Sequence, residues 1–251
     1  MGNGLRTTYV NGGSLLFFFD QNSQTFQEDV LTCTLACQLA ASRKHSAFSE
    51  FADWHKQYFD TLTSFKCPID YQDMQSIPLE ADESIWSRLQ RMLAKRVSAS
   101  RLADAATAIT NMANNVDHDA SLFLCKQTVQ LDPDQGSLLL PSAVNVPALP
   151  GGSDKVSLET HDVYDVTLML GFMGAAPMMS LVMISFKSCR PIKGLPLAEL
   201  FSSGTVVGNL EVAIIGAELD GHDFSYLRQA VIEKLGSRRE ELRMKVAGLE
   251  P

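Results

Sequence analysis

The chain has 251 residues, 45% of them hydrophobic and 20% charged, with a net charge of −8 and a pI near 5.1. That length buries one large core or two small ones, and the composition is that of a folded soluble protein. The acidic balance argues against a nucleic-acid partner, which calls for a basic excess, and against general adsorption to anionic membranes.

The N-terminal stretch MGNGLRTTYVNGG lacks the apolar core of a secretory signal. Arg6 stands where the myristoylation pattern needs Ser or Thr. Residues 14–19, SLLFFF, read as a strand buried on both faces. Asp20, Asn22 and Ser23 then supply turn and N-cap chemistry for a helix over 25–44. Its apolar stripe is Phe26, Val30, Cys33, Cys37 and Ala40, stepping by three and four. Ser46 is placed to cap a second helix carrying Phe48, Phe51, Trp54, Tyr58, Leu62 and Phe65 on one side. The two form a helical hairpin.

Residues 67–80 hold two prolines and no helical period, and read as a connection with room for a short strand. A third helix is expected from Asp82 to about Val97, on the stripe Trp86, Leu89, Leu93 and Val97. A fourth follows from about Ser100 to Asn115. Its stripe of small residues, Ala105, Ala108, Ile109, Met112 and Val116, permits a close approach to a neighbour. The period then drops to two. Residues 121–131 read as a strand with Lys126, Thr128 and Gln130 facing out. Residues 132–155 are rich in Pro, Gly and Ser, with LPGGSDK the clearest loop.

Strands are expected at 157–170, 179–187 and 209–215. DGHDFSYLRQAVIEKLG gives a turn and a helix ended by Gly236 as its C′ residue. The tail EELRMKVAG alternates and is open to strand or helix. Helices and strands that segregate along the chain indicate an α+β fold around a mainly antiparallel sheet.

Residues 166–186, VTLMLGFMGAAPMMSLVMISF, carry no charge and are long enough to span a bilayer as a helix. Gly171, Gly174 and Pro177 break that helix, and Val, Ile, Thr and Phe around them favour strands. The run therefore reads as two strands joined by GFMGAAPM. On the first strand Val166, Leu168 and Leu170 share one face and Met169 with Val163 the other; on the return strand Leu181 and Met183 oppose Val182, Ile184 and Phe186, so both faces are apolar. A surface antiparallel sheet keeps one wet face, so this one needs helices on both sides, in three layers. Such strands are either a well-covered core or a sheet that exchanges helix contacts for lipid.

Order and texture together resemble the Cyt-type cytolytic delta-endotoxins and their fold relatives, the Erwinia virulence factor and the fungal cytolysin volvatoxin. The resemblance runs through SLLFFF and the first helices, MLAKRVSASRLADAATAITNMANNVDHDASLFLCK at 92–126, and VYDVTLMLGF followed by PMMSLVMISFK. It implies a single domain over 1–251, with 132–155 as an exposed loop or insertion, and helical hairpins covering both faces of the sheet. It also implies a bacterial toxin or virulence protein, made in the cytoplasm without a signal peptide. Such a protein binds the lipid membrane of a target cell, rearranges, assembles as a homo-oligomer and permeabilises it. The hairpin residues that would meet lipid are Val166, Leu168, Leu170, Phe172, Met178, Val182, Ile184 and Phe186. The alternative is a soluble, non-lytic protein that carries a lipid or acyl chain.

Several features have a bland reading beside a functional one. Arg88, Arg91 and Lys95 form a row that is either a solvated face or a set of lipid-phosphate contacts, with Arg96 and Arg101 nearby. Cys189, between Lys187 and Arg190, is either an ordinary loop thiol or an acylation site. Cys33 and Cys37 lack partners for a metal site and read as core thiols. His161 with Asp162 and Asp165 is the one local acid–imidazole cluster, on a strand entry. No GxSxG, P-loop, GxGxxG or HExxH is present, so no enzyme, cofactor or metal is expected.

Overall fold

The computed structural model describes residues 4–19, 22–80, 83–114, 119–132, 138–141, 158–192, 196, 200 and 204–246. The chain opens with a hairpin, β1 (Leu5–Asn11) and β2 (Ser14–Phe19), antiparallel with Val10 opposite Leu15. Gly12 turns it at φ 61°, a conformation that costs glycine nothing. A Cβ there would also come within 2.8 Å of Gln38 Oε1. Helix α1 (Gln24–Ser42) starts at Ser23, whose hydroxyl accepts from Phe26 N–H, and α2 (Phe51–Ser64) folds back along it. Ser46 does not cap α2. Its Oγ accepts from Phe48 N and Ser49 N in a turn before the helix, and Glu50 takes the N-cap position.

Residues 69–78 form a full edge strand, β3 (Ile69–Pro78), rather than a connection. Prolines flank it, and the half-exposed alternation Ile69, Tyr71, Asp73 was the signal they obscured. Helix α3 (Ile85–Leu93) is shorter than expected because Ser84 caps it, accepting from Ser87 N–H. Helix α4 (Ala99–Asn114) agrees with the sequence up to Val116, which lies outside the described residues. The expected strand at 121–131 is mostly helix: α5 (Asp119–Thr128), then β4 (Val129–Leu131). Ala120, Ser121, Leu124 and Thr128 are its buried face, spaced by one, three and four, so Thr128 points inward.

Strands β5 (Leu138–Pro141) and β6 (Leu158–His161) make a separate two-stranded ribbon, so the expected strand at 157–170 is divided. LPGGSDK lies outside the described residues. The long strands follow: β7 (Tyr164–Met173), β8 (Met178–Ser188) and β9 (Val206–Glu218). The connection between the first two is residues 174–177, shorter than expected, because Gly171, Phe172 and Met173 still pair with Leu181, Ser180 and Met179. Helix α6 (Gly221–Leu235) ends at Gly236, φ 54°, as expected. The undecided tail is both: α7 (Arg238–Glu241) and β10 (Arg243–Lys245).

The main sheet runs β10-β1-β2-β7-β8-β9-β3, with β4 beside β7 on the same edge as β2. Every pairing in it is antiparallel except β2–β7, which places Phe17 opposite Phe172. Helices α1, α2 and α6 cover one face and α3, α4 and α5 the other. The fold is α+β in three layers, with a mostly antiparallel sheet at the centre.

Tyr71 bolts the β3 edge to the rest. Its ring lies over Gly216 on β9, where any Cβ would enter the ring. Its hydroxyl meets Ser180 Oγ at 3.2 Å, and the Arg96 guanidinium stacks on the opposite side at 3.3 Å from the ring centre.

Candidate functional site

The strands β7, β8 and β9 present two unlike apolar faces. Toward α3–α5 the cross-strand rows are Val166–Phe186, Leu168–Ile184–Val212 and Leu170–Val182–Ile214. Phe172 extends this face and stacks on Phe17, ring centres 5.4 Å apart. Seven of the eight hairpin residues singled out in the sequence thus lie together and are buried. The eighth, Met178, does not join them: it sits at the turn end of β8 opposite Glu218 and is 36% exposed. Toward α1, α2 and α6 the rows are Met169–Met183–Ala213 and Met173–Met179–Ala217, a face of flexible thioethers and small side chains.

The two helix layers are fastened differently. Asn11 Nδ2, on β1, donates to Leu31 O and Thr34 Oγ1 on α1, both at 3.0 Å. Gln38 Oε1 accepts from Gly13 N–H at 2.9 Å, and Gln38 Nε2 donates to Asn11 O at 3.0 Å. Buried, each such bond is worth about 1 kcal/mol net, and breaking one costs more because a partner is stranded. Arg228 on α6 grips the buried Asp29 of α1 through two bonds of 2.6 and 2.7 Å. Glu28 accepts from Arg239 and Arg243. On the other face, among the described residues no side-chain hydrogen bond or ion pair joins α4 to the sheet. Leu102, Ala105, Ala108, Ile109 and Met112 pack on it, and Arg101 lies over the Phe19 ring at 4.9 Å. The stripe of small residues meets the sheet, not another helix hairpin. Nothing local in the sequence announces the polar clamp, because its members lie 20 to 199 residues apart.

The remaining candidates fall into ordinary roles. Arg88 and Arg91 both reach the carboxylate of Glu83, the first at 3.7 Å. They close an ion-pair cluster at the start of α3 and do not form a free row with Lys95, which lines a shallow surface hollow with Arg96 and Arg101. Cys189 follows β8, and its N–H donates to Thr205 O. Its neighbour Lys187 is turned away to Asp132 at 2.6 Å and Asp165 at 3.5 Å. Asp165 therefore belongs to a lysine-centred triad; the side chain of His161 lies outside the described residues. Cys33 Sγ lies 3.9 Å from Cys67 Sγ in the core beside α2. Its thiol pKa is pushed well up, by hydrogen bonding with Cys37 first and by burial, as befits a core thiol. Among the described residues one metal-ligating trio, His45, Glu50 and Asp53, has donor atoms within 4.8 Å of one another. Local contacts around the start of α2 hold the three together, with His45 Nδ1 3.6 Å from Glu50 Oε1. Glu50 accepts from Ser46 N–H, the main reason its carboxyl titrates below the usual range, and Asp53 sits in the first turn of α2.

The triad gives a pH-dependent prediction. Desolvation raises the Asp165 pKa above 3.8 despite the attraction of Lys187, whose own pKa is raised first by its bond to Asp132. Lys187→Met removes the cation that two buried carboxylates, Asp132 and Asp165, share. Lys187 is 39% exposed along its side chain, so the cost is discounted for screening to about 2 kcal/mol at neutral pH. A raised acid pKa means that the fold binds its proton more tightly than the unfolded chain does. The deficit of the variant therefore shrinks as pH falls through the raised Asp165 value toward 3.8. Urea melts of both proteins across pH 4 to 8 check this; a pH-independent deficit contradicts it.

No protein-family model and no curated protein matches the chain. Among solved structures it is similar to the activated Cyt2Ba monomer from Bacillus thuringiensis subsp. israelensis, at 11% identity and a TM-score of 0.43. That alignment covers 84% of this chain and 99% of the other. It is also similar to a delta-endotoxin, at 10% identity and a TM-score of 0.46, covering 83% of this chain and 81% of the other.

Proposed function

We propose that this chain is a membrane-active toxin or virulence protein that binds the bilayer of a target cell and permeabilises it by insertion, without catalysis. The observation that carries the reading is the central strand trio. β7, β8 and β9 have 10, 11 and 13 residues, and helices cover both faces of the largely apolar stretch they share, 166–173, 179–184 and 212–217. A strand of ~9–11 residues crosses a bilayer. No helix among the described residues is long and apolar enough to do so. The sequence resemblance to Cyt-type toxins implies the same action. Inserted strands must satisfy every backbone group, so an oligomeric closed barrel follows from the chemistry of the lipid interior. The layer best suited to leave is α3–α5. It covers the rows predicted to meet lipid, and among the described residues α4 has no side-chain hydrogen bond or ion pair to the sheet, only apolar packing and the Arg101–Phe19 contact.

Dye release from protein-free phosphatidylcholine vesicles tests the proposal, with and without prior protease treatment. The expected result is concentration-dependent leakage in at least one of the two conditions. Intact vesicles in both, at protein-to-lipid ratios where binding saturates, would sink it.

A further inference from the structure

The outer surface of the α1–α2–α6 layer holds a groove of about 700 Å³, within the ~300–1,000 Å³ usual for small-molecule sites. Its floor is apolar: Ala36 and Leu39 of α1, Phe65 past α2, and Leu227 and Val231 of α6. Its rim carries Arg43, Lys44, Lys234 and Arg238, and among the described residues no Asp or Glu lines it. In a chain of net charge −8, that is a local reversal of sign. Among the described residues Arg43, Lys234 and Arg238 have no ion-pair partner, and Lys44 Nζ meets only the neutral Gln57 Oε1 at 2.8 Å. Helix C-termini favour cations, which accounts for Arg43, Lys44 and Lys234 singly. It accounts neither for Arg238, at the start of α7, nor for the apolar floor between them.

We infer that this groove binds a single-chain anionic amphiphile, its headgroup among the rim cations and its alkyl chain along the floor. Charge complementarity selects the headgroup, because four rim cations with no acidic residue among the described lining leave an uncompensated positive field over an apolar trough. This goes beyond the membrane reading: it requires neither a bilayer nor release of any helix.

Calorimetric titration of the full chain with sodium dodecanoate, below its micellar concentration, tests the inference. Saturable one-to-one binding is expected, tightening roughly two- to fourfold per methylene from octanoate to dodecanoate. Dodecyltrimethylammonium, with the same chain and opposite charge, should bind at least about tenfold more weakly. Arg43→Glu with Lys234→Glu should cost dodecanoate a similar factor. Ala230 is exposed at the groove wall, so Ala230→Trp fills the groove without entering the core and should abolish binding. Absence of saturable binding, equal affinity for the two amphiphiles, or full affinity in Ala230→Trp would each overturn it. The comparison of amphiphiles on the native chain decides the matter even if a variant folds poorly. Vesicle leakage by Ala230→Trp should be unchanged, which separates failure here from failure of the membrane proposal.

Discussion

Phe17→Ala should lower the unfolding free energy by about 3–5 kcal/mol, and the melting temperature by roughly 10 °C. Phe17 is wholly buried on β2, where the sheet passes from the N-terminal hairpin to the long strands. Its ring stacks on Phe172 across the parallel pairing, and α3–α5 close over both. Truncation leaves a cavity between two layers that cannot both relax into it. A thermal melt within about 2 °C of the parent would show that this seam carries little of the stability.

The second large effect is on leakage. Ile109→Ala on α4 and Leu35→Ala on α1 each remove a fully buried aliphatic side chain, and each should cost ~2–5 kcal/mol of global stability. Their consequences for membranes should differ. If α4 opens before insertion, weakening its mainly apolar seat raises the open population by about tenfold for each 1.4 kcal/mol. Ile109→Ala should therefore speed dye release on the order of tenfold or more. Leu35 lies in the layer clamped by Asn11, Gln38 and the Arg228–Asp29 pair, which stays on the sheet. Its variant should leak at a rate within about twofold of the parent. Equal acceleration by both would mean that leakage follows overall instability and not departure of one layer.

Much of this design was legible in the sequence because it is written in short periods. The strides of α1 and α4, the Ser23 cap and the Gly236 stop are local signals that the structure has, except that Ala41 and not Ala40 closes the buried stripe of α1. So was the character of the central hairpin, since Gly174 and Pro177 rule out a spanning helix and both faces are apolar. The errors have equally physical causes. α5 reads as a strand in the sequence because KQTVQL alternates at its end, where Thr128 turns inward to bond Leu124 O. β3 was hidden by its flanking prolines, which an edge position tolerates. Arg88 and Arg91 read as a row because a helix from Asp82 would hold Glu83 five and eight residues away from them, beyond helical neighbours, whereas the helix starts at Ile85 and leaves Glu83 before it to meet both. The parallel β2–β7 pairing and the clamp on α1 join residues far apart in the chain, and no periodicity encodes them.

The central claim is that a helix layer leaves an apolar sheet when the protein meets a bilayer. Hydrogen exchange of the vesicle-bound protein addresses it most directly. Amides of α4, 99–114, should lose most of their protection on binding, while those of β7 and β8 at 166–186 keep theirs or gain. Vesicles that leak while α4 remains as protected as in solution would contradict it.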